Sequence, residues 1–180
     1  MALTQVQKLQ LNKQVDKILN TPGNFQGGNL EMTMVFDYDI DETKLKEQAA
    51  QIISTLKSHS PVFRNVRFNG VKWESDTEIT SQVVPMMFVQ MGKFFEETKK
   101  VQKTENNIES NQKNLEVLLQ KLKLFHARSK LIIILTNGQY QVADKEASKV
   151  ALNPFLKGKL LLLEGDTMKT GMQLFMELIR

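Results

Sequence analysis

The sequence predicts an α/β fold with a doubly wound, mostly parallel central sheet, helices on both faces and one antiparallel hairpin at the edge. Three nearly continuous apolar runs predict strands that are buried on both sides, and they span residues 30–36, 131–135 and 160–163. Segments with apolar residues at helical spacing separate these runs. This alternation of buried strands and helices is typical of a Rossmann-like sheet.

Length and cysteine content limit the class of protein. A chain of 180 residues fits one medium-sized domain with a sizeable core. Because the chain has no cysteine, disulfides, thiolate metal sites and cysteine nucleophiles are excluded. No run approaches the roughly 20 apolar residues that span a bilayer, and the first residues do not resemble a secretory signal. We therefore expect a cytoplasmic protein without a membrane partner.

The distribution of charge argues against a nucleic-acid partner. The 24 basic and 20 acidic residues are interleaved along most of the chain. The longest basic cluster, Lys99, Lys100 and Lys103, lacks the interleaved aromatic residues of a single-strand-binding surface. No nucleic-acid partner is therefore expected, and no feature of the sequence sets the oligomeric state.

The chain divides near residue 29. Residues 1–29 contain an imperfect helical stripe, followed by a loop with Pro22 and three glycines. Residues 30–180 carry the alternating strands and helices of the α/β domain. Two interpretations of the first helix stay open: it packs on the edge of the domain, or it docks to a partner.

Helices are predicted on both sides of the strands. A first core helix is predicted after Asp41, its N-cap, with an apolar stripe from Leu45 to Leu56 and an end near residues 59–61. Four further helices are predicted, the first of them a methionine-rich run, at residues 86–95, 115–125, 143–152 and 170–180. A polar connection is predicted at residues 98–114.

The antiparallel hairpin is predicted between residues 62 and 84. Its turn is expected at Asn69-Gly70, because this dipeptide between alternating apolar residues is the strongest short-range hairpin signal. Residues 78–84 then continue the β meander.

Polar residues follow each of the three buried strands. They are residues 37–41 (DYDID), 136–138 (TNG) and 164–166 (EGD), and we call the edge that they form the rim. Since the carboxyl ends of parallel strands meet at one edge, these residues are expected to lie together where ligands usually bind.

These motifs resemble the von Willebrand factor A-like fold over roughly residues 30–180. In that family a first strand ends in Asp-x-Ser-x-Ser, a hairpin follows the first helix, and a later strand ends in Leu-x-Thr-Asp-Gly. The resemblance implies a non-enzymatic protein-interaction module whose partner binds the rim residues Thr136, Asn137, Gly138, Glu164 and Asp166.

The resemblance also implies a degenerate metal-ion-dependent adhesion site. The matching ligands are Asp37, Asp39, Asp41 and Asn137, where Asp39 and Asp41 replace serines and Asn137 replaces an aspartate. Their hard oxygen atoms suit Mg²⁺ or Ca²⁺. The simpler interpretation is that the metal site is lost, with Asp41 capping a helix and Asp39 solvated.

A second resemblance is to the haloacid dehalogenase-like phosphohydrolases, whose first strand also ends in Asp-x-Asp. It implies Asp37 as the nucleophile and Asp39 as the general acid/base. Thr136 would bind phosphate, Lys149 or Lys157 would neutralise charge, and Asp166 would bind a metal. This alternative is weakened because Thr170 stands where that family has a second aspartate.

Overall fold

The described part of the chain forms one mixed sheet with helices. The computed structural model describes residues 4–19, 29–37, 47–48, 50, 52, 54, 65–84, 113–126, 129–138, 140–156, 160–164 and 167–179. Within these ranges the strands are β1 (Asn29–Asp37), β2 (Asn65–Trp73), β3 (Ile79–Val84), β4 (Leu131–Thr136), β5 (Leu160–Glu164) and β6 (Thr167–Thr170). The α-helices are α1 (Gln5–Leu19), α2 (Leu115–Phe125), α3 (Lys145–Leu152) and α4 (Gly171–Leu178).

The strand order is β3-β2-β1-β4-β5-β6. The four inner strands, β2, β1, β4 and β5, are mutually parallel, whereas β3 and β6 pair antiparallel at the two edges. This arrangement confirms the predicted α/β class, the mostly parallel sheet and the antiparallel edge.

Burial on both faces explains the long apolar runs. All six residues of β4 are buried, and so are residues 32–37 of β1. On one face, Val35 and Ile134 join a core that includes leucines of α2 and α4. Their neighbours Met34 and Ile133 are also fully buried, on the opposite face because successive strand residues alternate. Each such side chain contributes roughly 1.5–3 kcal/mol of hydrophobic stabilisation.

Short polar motifs set the helix starts. At α1, Thr4 Oγ1 accepts from the Gln7 N–H, and Gln7 Oε1 accepts from the Thr4 N–H. Thr170 and Gln173 form the same reciprocal capping box at α4. At α3, the Asp144 carboxylate accepts from the Ala147 N–H. Each of these caps satisfies backbone donors that a helix leaves unpaired.

The predicted turn at Asn69-Gly70 is wrong. Both residues lie inside β2, which pairs with β1 along nine residues and with β3 on its other side. The Asn69 amide donates to Glu31 and Thr33 across the sheet. The turn forms instead at residues 74–78. Pairing on both sides therefore outweighs the local turn preference of the dipeptide.

The C-terminal third also differs in detail from the prediction. β5 does not lead directly into the last helix, because residues 167–170 form β6 against β5. The helices at 145–152 and 171–178 agree with the predicted ones. Residues 47, 48, 50, 52 and 54 are helical, as expected for the helix after β1. The Asp41 cap, the methionine-rich helix and residues 98–112 lie outside the described residues.

Two of the described side chains of the N-terminal helix α1 are buried. Leu11 is fully buried, and Gln7 is also buried. By contrast, Val6 and Leu9 are exposed. The described surface of α1 therefore combines a buried side with exposed apolar residues.

Candidate functional site

Asp37 is the centre of the rim and is completely buried at the end of β1. Its Oδ1 accepts from the ammonium group of Lys113 in a buried ion pair. Its Oδ2 accepts a hydrogen bond of 2.8 Å from the hydroxyl of Thr136. Thr136 lies at the end of the neighbouring strand β4. Both carboxylate oxygens therefore have a donor within the chain.

Lys113 lies two residues before the start of α2, and its side chain extends to Asp37. Its side chain is 1% exposed, and its ammonium lies 5.7 Å from the centroid of the Trp73 ring, within cation–π range. Trp73 is fully buried and pairs with Asp37 in the β1–β2 register. The ammonium is thus enclosed by a carboxylate and an aromatic face.

The backbone around Lys113 is anchored at several points. The Lys113 carbonyl accepts from the Gln141 N–H at 2.9 Å, and the Gln141 carbonyl accepts from the Leu115 N–H at 2.8 Å. Asp76, in the β2–β3 turn, accepts from the backbone and the side-chain amide of Asn114, at 2.7 and 2.5 Å. These bonds join α2 to two loops at the rim.

Thr136 connects the buried pair to the surface of the rim. Its Oγ1 accepts from the Gly138 N–H at 3.1 Å while the same hydroxyl donates to Asp37. Gly138 has a φ of +86°, and a Cβ there would lie 3.1 Å from Cγ of Glu164. Glycine therefore allows β4 to turn sharply beside the end of β5.

Glu164 is the second organised acid of the rim. Its Oε1 accepts from the Tyr140 hydroxyl at 2.6 Å, and the Lys169 ammonium lies 3.7 Å from its Oε2. Burial raises the pKa of Tyr140, and the hydrogen bond to Glu164 raises it further. Tyr140 therefore stays a neutral donor at physiological pH, and its ring packs 5.7 Å from that of Trp73.

The structure brings together most of the described residues that the sequence analysis selected. Asp37 lies against Thr136, Thr136 pairs with Glu164, and residues 137–138 follow directly. Asp39, Asp41, Lys157 and Asp166 lie outside the described residues. Lys149, proposed for the phosphohydrolase alternative, pairs with Glu146 on α3 at 2.6 Å. Among the described lysines, the one that contacts Asp37 is Lys113.

The described residues do not fit a divalent cation at Asp37. The ammonium of Lys113 and the hydroxyl of Thr136 already contact its two oxygens. Among the described residues, no group of three or more His, Cys, Asp or Glu side chains is arranged to hold a metal. Metal binding at Asp37 would require Lys113 to move, so the predicted Mg²⁺ or Ca²⁺ site stays a prediction.

A second polar cluster lies away from the rim, toward the start of β1. Thr33 and Ser129 share a buried hydroxyl contact of 2.5 Å. Ser81 Oγ lies 2.9 Å from Nε2 of His126, which ends α2. Burial lowers the pKa of His126, and the charge of Glu31 partly opposes this effect. His126 is therefore biased toward its neutral form.

Lys113 and Tyr140 were missed by the sequence analysis. Lys113 falls within the predicted polar connection at 98–114, and Tyr140 lies in an unassigned loop. One signal was present: a helix that leads into a parallel strand must begin near the rim, because crossover helices run antiparallel to the strands. A residue just before the stripe at 115–125 is therefore placed at the rim.

Comparison with known proteins does not assign a family. No protein-family model and no curated protein sequence matches this chain. In the described part of the chain, no helix is both long and apolar enough to cross a membrane. The case for function therefore depends on the chemistry of the rim.

Proposed function

We propose that this chain is a non-enzymatic protein-interaction module with a von Willebrand factor A-like fold that acts in the cytoplasm. Its protein partner binds the rim at Thr136, Asn137, Gly138, Glu164 and Asp166. The observation that carries the proposal is the complete burial of Asp37 between Lys113 and Thr136. A carboxylate in this arrangement organises the surrounding surface.

The organisation of the surface residues supports this role. Gly138 is held by Thr136, and Glu164 is held by Tyr140. Asn137 and Gly138 are both partly exposed beside Glu164. Polar groups that are fixed before binding lose less conformational entropy when a partner docks. A rim of this kind suits the recognition of a polar protein surface.

The strand arrangement supports the family resemblance. The β2–β3 pair forms an antiparallel edge after the first strand and helix, as the resemblance implied. Thr136 ends the strand next to β1 and contacts Asp37 directly. These are the positions that the family pattern assigned to the two strand ends.

The phosphohydrolase alternative is supported by the contacts of Asp37 with Lys113 and Thr136. A carboxylate, an ammonium and a hydroxyl meet at Asp37, and phosphoryl transfer through an aspartyl nucleophile uses such groups. Against it, Asp37 has no exposed surface and both oxygens have donors. A nucleophile must present an oxygen to the substrate, so the interaction module is the better supported function.

Matched asparagine substitutions test the interaction site. Asn137 lies on the rim, whereas Asn153 is exposed after the end of α3, toward the opposite edge of the sheet. A photo-crosslinking amino acid at position 137 should capture a discrete partner in extract of the native organism, and the same group at 153 should not. Asn137→Arg should abolish binding of that partner, and Asn153→Arg should preserve it. Equal capture at both positions, or binding retained by Asn137→Arg, refutes the rim.

A phosphatase assay tests the alternative. We expect no hydrolysis of p-nitrophenyl phosphate by the full chain with Mg²⁺. Hydrolysis that Asp37→Asn removes would favour the enzyme, provided that circular dichroism shows a folded variant.

A further inference from the structure

Lys113 contacts the carboxylate of Asp37, which the family resemblance names as a ligand of a divalent cation. Its ammonium contacts Asp37 at Oδ1, and the pair is almost completely excluded from solvent, with exposures of 1% and 0%. A buried carboxylate requires a compensating positive charge. An ammonium and a metal ion cannot contact the same oxygen from the same position, so one excludes the other.

We propose that Lys113 is an internal counter-ion that replaces a divalent cation at Asp37 and holds the rim in place without metal. The inference rests on the proposed function in one respect, namely that this rim is the binding surface. The charge replacement itself concerns the chain alone and is tested without any partner.

The surroundings of Lys113 are built to hold it there. Its backbone carbonyl accepts from Gln141, and the next residue, Asn114, is fixed by Asp76. The centroid of the Trp73 ring lies 5.7 Å from the ammonium. A lysine arriving by chance from a solvated segment would not have both its own carbonyl and the N–H of the next residue hydrogen-bonded. The lysine is therefore part of the folded structure of the rim.

The charge balance also favours lysine over a metal. Among the described residues, one ammonium pairs with one carboxylate, and the Thr136 hydroxyl donates to the second oxygen. A divalent cation in place of the ammonium would contact the carboxylate oxygen that the ammonium contacts, so the ammonium and the cation compete for one position. Removing only the ammonium leaves Asp37 and Thr136 as oxygen ligands next to a space of side-chain size. The prediction is that such a variant gains metal affinity.

Manganese quenching of tryptophan fluorescence measures this gain. Trp73 is the only tryptophan of the chain and lies next to the ammonium position, so Mn²⁺ bound there should quench its emission. Wild type should show no saturable quenching. Lys113→Ala should show saturable quenching with a Kd of about 1 mM or tighter, the range of weak oxygen-ligand sites. Mg²⁺ should compete with Mn²⁺ without quenching.

The double variant Asp37→Asn/Lys113→Ala is the matched control. It has the same space as Lys113→Ala but lacks the carboxylate, so quenching should be lost. A folded Lys113→Ala protein that gains no Mn²⁺ binding overturns the proposal. Saturable Mn²⁺ binding by wild type that Asp37→Asn abolishes also overturns it, because the native lysine would then not exclude metal.

Lysine acetylation of wild type provides a test that needs no variant to fold. Lys123 is exposed on α2 and serves as the internal reference. Lys113 should react at least about tenfold more slowly than Lys123, as expected for a group that is accessible only after local opening. Millimolar Mn²⁺ should leave this ratio unchanged. Faster acetylation of Lys113 on metal addition means that metal displaces it, which refutes the proposal.

Discussion

Removing the ammonium of Lys113 should destabilise the fold strongly. Lys113→Met keeps most of the side-chain volume but leaves the Asp37 carboxylate buried without its cation. Breaking one partner of a buried pair costs about 3–5 kcal/mol. Because Thr136 still donates to Asp37, we expect a loss at the lower end, about 3 kcal/mol. For a chain of this length the melting temperature should fall by roughly 6–12 °C.

A double-mutant cycle isolates the interaction. Asp37→Asn alone leaves the ammonium buried and should cost about 3 kcal/mol or more. The double variant Asp37→Asn/Lys113→Met contains no unpaired charge, so its loss should be at least about 2 kcal/mol smaller than the sum of the single losses. The assay is urea unfolding at pH 7, followed by Trp73 fluorescence and circular dichroism.

The surface pair of Lys149 and Glu146 is the matched control. The same substitution, Lys149→Met, removes an ammonium from an ion pair whose side chains are 22% and 80% exposed. Exposed pairs contribute little, so the loss should stay below about 0.5 kcal/mol. The effect of Lys113→Met should also persist in high salt, because buried charges are poorly screened. A loss for Lys113→Met as small as that of Lys149→Met would refute the buried ion pair.

Two further perturbations test other parts of the structure. The pKa of His126 is lowered by burial, so the unfolded state binds more protons just below pH 6.5, and wild type should lose stability as the pH falls from 6.5 through the folded pKa. In urea titrations, His126→Gln should flatten this dependence of stability on pH. Equal slopes for wild type and variant would contradict the assignment. Gly171→Ala would place a Cβ 2.6 Å from the backbone oxygen of Phe155, so the free energy of unfolding, measured by thermal unfolding, should fall by about 1–3 kcal/mol. The control is Met172→Ala at the exposed neighbouring residue, which should lower it by less than about 0.5 kcal/mol.

The identity of the buried strands could be predicted because burial leaves a strong local pattern. The runs at 131–135 and 160–163 are apolar at every position, which only a strand covered on both faces requires. Parallel pairing then places their carboxyl ends at one edge. This reasoning places Asp37, Thr136 and Glu164 at a common rim, and the pairing of β4 with β5 and the Thr136–Asp37 hydrogen bond agree with it.

The errors occurred where a local signal competed with distant pairing. Asn69-Gly70 has a strong turn preference, yet β1 and β3 provide hydrogen bonds on both sides of it. The short strand β6 has no buried apolar run and exists because β5 offers an edge for it. Such outcomes depend on which strands become neighbours, and that information is not local.

The sequence by itself determined the fold class and the position of the rim, because hydrophobic periodicity and strand direction follow from nearby residues. Only the tertiary structure decided what compensates Asp37. Lys113 is 76 residues away along the chain, inside a polar stretch with no pattern that marks it as buried. Its charge matters because folding places it beside a carboxylate that water no longer reaches, and only the packed chain creates that condition.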